Sequence, residues 1–127
     1  MKEQNRLTEL LGHDVPWVQR EPSLMMTPGF HRLCIEQMPE FGQEGVRLIA
    51  YKLMRMFFKK NWGLNHLEGE DRQHDIDANE YAVNHGGRIM GVYDLEDYFP
   101  MSDMAGRVWM ILEADHSGLT FLLPEEY

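Results

Sequence analysis

The chain has a single cysteine, Cys34, among 127 residues, which excludes an intramolecular disulfide framework. A lone cysteine fits a reducing compartment. No apolar run approaches the roughly 18–20 residues of a membrane-spanning helix. Met1 to Leu11 is polar and charged, without the apolar centre of a secretory signal. These absences predict a soluble, cytoplasmic protein with no membrane partner. A glycine-rich phosphate loop is also missing. Gly86-Gly87 is followed by Arg88, with neither a Lys-Ser/Thr pair nor GxGxxG spacing. No catalytic or cofactor motif takes its place, so no cofactor is expected.

The scarcest feature is positive charge in one half. Residues 61–127 hold only Arg72, Arg88 and Arg107 against fourteen Asp and Glu, a net of −11. Residues 1–60 hold nine Lys and Arg against seven acids, a net of +2, which completes the overall −9. Such an acidic half repels nucleic acid and attracts basic surfaces, with a strength that depends on salt. Direct binding to a phosphate backbone is disfavoured, because each phosphate contact wants Lys or Arg.

What remains is ordinary globular composition, 43% apolar and 26% charged, in a length that suits one domain with a real core. Ten methionines are many; they fill a core adaptably or form a Met-rich binding surface. The pattern predicts an N-terminal helix and arm over 1–29 and a single α+β domain over 30–127. Leu7, Leu10 and Leu11 share one side of a short helix over 3–11, stopped by Gly12. Pro16, Pro22 and Pro28 make 13–29 an extended arm, with Trp17 and Val18 docking on the domain.

Phe30 to Glu36 alternates loosely and reads as a strand. Gln43 to Lys60 is the strongest helix, with Val46, Ile49, Ala50, Leu53 and Phe57 on one stripe. Residues 61–76 read as a loop, and Asp77 three residues before Glu80 predicts a cap for a short helix over 78–85. Arg88 to Tyr93 is a strand, and 94–106 an acidic connection containing Tyr98, Phe99 and Met101. Val108, Met110 and Leu112, then a turn at Asp115-His-Ser-Gly118, then Leu119, Phe121 and Leu123, predict a closing hairpin. The expected fold is an antiparallel sheet of about four strands packed on one long helix.

Three constellations could carry chemistry. His66, Glu70 and His74 stand at i, i+4 and i+8, with Asp75, Asp77 and His85 near in sequence. Two imidazoles and a carboxylate are plausible ligands of a metal-dependent enzyme. Gly69 and the density of charge argue instead for a solvated loop, so no metal is expected. Asp115-His116 could form an acid–base pair, although adjacent turn residues diverge, and Cys34 with a histidine could form a nucleophilic pair. The third constellation is acidic: Glu68, Glu70, Asp71, Asp75 and Asp77, then Asp94, Glu96 and Asp97 beside Tyr98 and Phe99. A solvated surface is the simpler reading. The sharper one is a partner-binding surface, in which carboxylates imitate a phosphate track and aromatics supply anchors.

Phe30–Glu40 leading into a long helix, and the hairpin Arg107–Tyr127 ending Leu122-Leu123-Pro124-Glu125-Glu126-Tyr127, resemble small uncharacterised accessory proteins of phages and plasmids. The resemblance covers about a quarter of the chain and brings no catalytic residues; the acidic stretch 61–106 departs from it. It implies a mobile-element protein, with non-enzymatic inhibition of anti-CRISPR or anti-restriction type as the expectation. The protein partner would then be a nucleic-acid-processing complex with a basic surface. A structural or regulatory homodimer, joined through a sheet edge or a Met-rich patch, is the third reading.

Overall fold

Apolar residues at every third or fourth position set the helices, and those at every second position set the strands. The computed structural model describes residues 6–100 and 102–127. In chain order it has α1 (Arg6–Leu11), β1 (Ser23–Met26), α2 (Pro28–Gln37), α3 (Gln43–Phe58), α4 (Gly69–His85), β2 (Ile89–Asp94), α5 (Leu95–Tyr98), β3 (Arg107–Leu112) and β4 (Gly118–Leu122). A 3-10 turn at Pro124–Glu126 closes the chain. This is an α+β fold, with one four-stranded sheet in the order β1-β4-β3-β2. Of the helix expected over 3–11, the part before Arg6 lies outside the described residues, as does Met101.

The core sits between the helices and one face of the sheet. Antiparallel register places Ile89 opposite Leu112, Gly91 opposite Met110 and Tyr93 opposite Val108. The next pairing places Met110 opposite Phe121 and Leu112 opposite Leu119, so all share that face. Val46, Ile49, Leu53 and Phe57 of α3 enter the same core and are fully buried, as the stripe predicts. Phe30 of α2 meets Phe121 at 5.0 Å between ring centroids. Cys34 is fully buried, and burial pushes its thiol up to about 12, which disfavours the thiolate.

Three expectations need correction. Phe30–Glu36 is not a strand; it lies in α2. Thr27 caps this helix by accepting the Phe30 N–H, and Pro28 occupies its first turn, where a missing N–H costs nothing. Residues 61–76 are not all loop, because α4 starts at Gly69 and absorbs the proposed Asp77 cap into its interior. The sheet is mixed rather than purely antiparallel. Its fourth strand comes from the arm, where Ser23–Met26 pairs parallel with Gly118–Phe121.

Local clamps hold that arm. Trp17 donates its indole N–H to the Phe58 carbonyl (3.2 Å) and lies against the Phe58 ring. His116, in the β3–β4 turn at φ 63°, is buried and accepts the Gln19 N–H at Nδ1 (3.1 Å). Beyond the strand, the Glu126 carboxylate accepts the Thr27 hydroxyl and the N–H groups of Gly29 (2.9 Å) and Leu123 (2.8 Å). Against partial desolvation, these bonds hold that carboxyl below the usual range.

Two outcomes test this architecture. Leu53→Ala should cost roughly 2–5 kcal/mol in denaturant unfolding, because the site is fully buried. The second concerns His116, whose pKa lies below its ordinary value. Burial dominates, opposed by Asp115 and aided by Arg20. A depressed histidine pKa means that the neutral ring stabilises the fold above about pH 6.5 and that this contribution fades as pH falls through the lowered value. Trp17, whose ring stands edge-on to His116 at 6.0 Å, should report the loss as a fluorescence change on acidification. His116→Ala should abolish that transition.

Candidate functional site

α4 owes little to hydrophobic burial. Across its 17 residues only Asn79 and Ala82 are buried. Ile76 and Val83 pack partly against the core, and polar links to the edge of the sheet fix the helix in place. Asn79 donates its amide N–H to the Met90 carbonyl (2.9 Å) and accepts the Met90 N–H (3.3 Å). Its side chain thus imitates a neighbouring strand for one residue of β2. The next outward-facing residue, Val92, is satisfied by the 62–64 segment, donating to the Trp62 carbonyl (2.9 Å) and accepting the Leu64 N–H (2.8 Å). Gly63 allows this approach, because a Cβ there would stand 2.1 Å from the Val92 carbonyl oxygen.

With α4 seated this way, its outward side carries Glu70, Asp71, His74, Asp77, Tyr81 and His85, all exposed. Their spacing follows the helical repeat. Tyr81 is 64% exposed and stacks on His85, with ring centroids 4.1 Å apart. Asp77 accepts a hydrogen bond from Gln73 (2.8 Å), and Asp75 is only half exposed beside His74. Glu68 stands at the N-cap, exposed, without a side-chain capping bond.

The second acidic group meets the first around Asn65 and Arg72. Asn65 donates to Asp97 (3.2 Å) and to the Tyr98 hydroxyl (3.4 Å). Arg72 reaches back from α4 to the carbonyls of Leu64 (3.1 Å) and Asn65 (3.3 Å). The start of α4 and the short helix α5 therefore share one end of the molecule, with Glu96 and Asp97 exposed beside that junction. Tyr98 has its hydroxyl pKa raised, by desolvation first and then by Asp97 and Asp94, partly relieved by Asn65 and Arg72.

The ten residues singled out from the sequence divide accordingly. Glu68, Glu70, Asp71, Asp77, Glu96 and Asp97 are exposed and Asp75 partly so. Asp94 is engaged, bound bidentately by Arg107 (2.7 and 3.2 Å). Tyr98 and Phe99 pack against the core and are not open anchors; Tyr98 lies edge-on to the buried Tyr93 at 5.6 Å. The exposed aromatic on α4 is Tyr81, which sequence reasoning missed. Its signal was there, since Glu70, His74, Asp77, Tyr81 and His85 fall at helical intervals once 69–85 is taken as one helix.

Metal and acid–base arrangements fare differently. Among the described residues, no three His, Cys, Asp or Glu side chains come together to hold a metal ion. His66 lies in the segment before α4, while Glu70 and His74 sit on the solvent side of the helix. Asp115 and His116 diverge. Asp115 accepts the Ser117 N–H (2.9 Å), while His116 turns inward to Gln19. Hydrogen bonds from Ser117 hold the Asp115 carboxyl below its usual range. A separate groove of about 680 Å³ lies between α1 and β1, lined by Leu7, Glu9, Leu10, Glu21, Pro22, Ser23, Leu24 and Met54.

Asn79→Ala should remove both hydrogen bonds that seat α4 and leave the Met90 backbone exposed, at a cost of about 1–3 kcal/mol. Hydrogen exchange should then quicken at Met90 and along α4, while α3 stays protected. No protein-family model, curated protein or solved structure matches this chain.

Proposed function

We propose that this protein is a non-enzymatic binding module whose acidic end docks on a basic, nucleic-acid-binding surface of a protein partner. Its sharpest form is an inhibitor of anti-CRISPR or anti-restriction type, carried by a mobile element and acting in the cytoplasm. The observation that carries this reading is the fate of the three arginines in residues 61–127. Arg72 is turned onto backbone carbonyls, Arg88 onto Glu113 (3.7 Å) and the Tyr127 hydroxyl (3.0 Å), and Arg107 onto Asp94. Glu70, Asp71, Asp77, Glu96 and Asp97 are left exposed, with no Lys or Arg at ion-pair distance among the described residues.

Carboxylates fixed along a helix differ from those on a mobile loop. Successive turns repeat every 5.4 Å, so a basic groove shaped for phosphates meets a track of anions that is already ordered. Tyr81 supplies the apolar anchor, an exposed aromatic one turn beyond Asp77 on the same side of α4. Of the sequence candidates, Glu68, Glu70, Asp71, Asp75, Asp77, Glu96 and Asp97 belong to this surface. Asp94, Tyr98 and Phe99 support it from within.

The test is binding to purified nucleic-acid-processing complexes of a host, with duplex DNA as competitor. Affinity should fall by roughly tenfold or more between about 50 and 200 mM salt, and DNA should displace the protein. Simultaneous reversal of Asp71, Asp75 and Asp77 to Lys should weaken binding, mostly through the association rate if the contacts are at the rim. Tyr81→Ala should speed dissociation. Melting temperatures should change little, because exposed carboxylates contribute little to stability. Binding that is indifferent to salt and to the triple reversal would defeat the proposal.

A further inference from the structure

The two edges of the sheet are finished differently. On the β2 side, every outward backbone group described above has a partner, from Asn79 at Met90 and from the 62–64 segment at Val92. On the β1 side nothing comparable is present among the described residues. The N–H groups of Ser23 and Thr27 bond the carbonyls of Ser117, just before β4, and of Phe121 on β4. Strand alternation then turns the N–H and C=O of Leu24 and Met26 away from β4, toward the open edge. Leu24, Met25 and Met26 are 44%, 47% and 37% exposed, and Leu10 beside them 47%. Among the described residues, no lysine or bulge blunts this edge.

The sequence around β1 is a near palindrome about Met25: Pro22-Ser23-Leu24-Met25-Met26-Thr27-Pro28. A two-fold axis through Met25 would set Leu24 against Met26 of the partner subunit and Ser23 against Thr27 of the partner subunit. Met25 would face its own copy. The outward-facing residues Leu24 and Met26 then form hydrogen-bonded pairs, each exchanging both N–H···O bonds. The next outward positions set Pro22 against Pro28 of the partner subunit. Neither proline has an N–H, so the ladder ends without stranding a donor. An unrelated strand laid on this edge has no reason to place prolines at both limits.

We propose that β1 is a self-pairing edge, and that two copies of this chain join antiparallel through it into a continuous eight-stranded sheet. Side chains agree with the backbone on both faces. Leu24 and Met26 lie on the side of Leu119 and Phe121, next to the groove whose apolar lining of Leu7, Leu10, Pro22 and Met54, flanked by Glu9 and Glu21, would receive the partner's Leu24 and Met26. On the other face the two Met25 side chains meet across the axis. The edge is short, and stable interfaces bury about 800 Å² per partner, so this one lies at the weak end and exchanges with monomer at micromolar concentration. It is the sheet edge opposite β2 and α4, so it does not depend on the acidic reading.

Sedimentation velocity on the full chain, from about 5 to about 500 µM, should show the 15.0 kDa monomer giving way to dimer. Met25→Lys and Met25→Glu should each remain monomeric, because each sets like charges across the axis. Their equimolar mixture should recover the dimer. As a second measurement, Met25→Cys should oxidise to a disulfide-linked dimer, since a non-hydrogen-bonded pair brings Cα atoms to about 4.5 Å. Cys34, buried in α2, would not compete. A monomer throughout the range, a dimer untouched by either charge, a mixture that stays monomeric, or an edge blocked only by a foreign extended peptide would overturn the proposal.

Discussion

Val46, Ile49, Leu53 and Phe57 of α3 and the inner face of the sheet exclude water from one another, and every other element takes its place from that contact. The contact works because two periodicities agree. Side chains at i, i+3, i+7 and i+11 on a helix, and alternate residues on β2, β3 and β4, both present unbroken apolar surface. Once the layer forms, α2 is fixed by Phe30 on Phe121, and the loop after α3 by the Tyr93 hydroxyl donating to the Asn61 carbonyl (2.8 Å). Tyr93 is fully buried, so that single bond satisfies a hydroxyl that would otherwise be costly to desolvate.

α4 shows the opposite kind of dependence. Burial holds it only weakly, since Asn79 and Ala82 alone are buried and Ile76 and Val83 pack partly against the core. A helix that is polar nearly all round needs specific links, and the Asn79 amide supplies them by standing in for a strand. Its side chains are therefore free to carry charge. The acidic face is possible because the core takes little from this helix, and β2 tolerates it because the helix seals that edge.

How much the sequence disclosed follows from the same physics. α3 and the β3–β4 hairpin were legible because burial wrote their periods into apolar residues. α2 was misread: its loose alternation of Phe30, Cys34 and Ile35 looked like a strand, while the Thr27-Pro28 start carried the truer signal. α4 was invisible to hydrophobic periodicity because it puts only Ile76, Ala82 and Val83 against the core. The parallel pairing of β1 could not be seen at all, since its partner lies far away in sequence. Composition located most of the acidic surface, but not its junction at Asn65 and Arg72, nor Tyr81, whose helical spacing only matters once the helix is known.

Ser23 meets Gly118, 95 positions later, whereas β2, β3 and β4 meet as near neighbours along the chain. Loop closure grows costlier with length, although slowly, and long-range pairings form late. The antiparallel strands with α3 can assemble as a folding nucleus before the arm is recruited. The arm is then the outermost layer in time as well as in space, held by a short parallel ladder, Trp17, His116 and Glu126. Opening in the reverse order would peel β1 away while the nucleus stays closed, which makes this strand the low-stability unit of the molecule. Such an opening would leave β4 as the new edge, and Leu119 and Phe121 would gain access to water before α3 loosens.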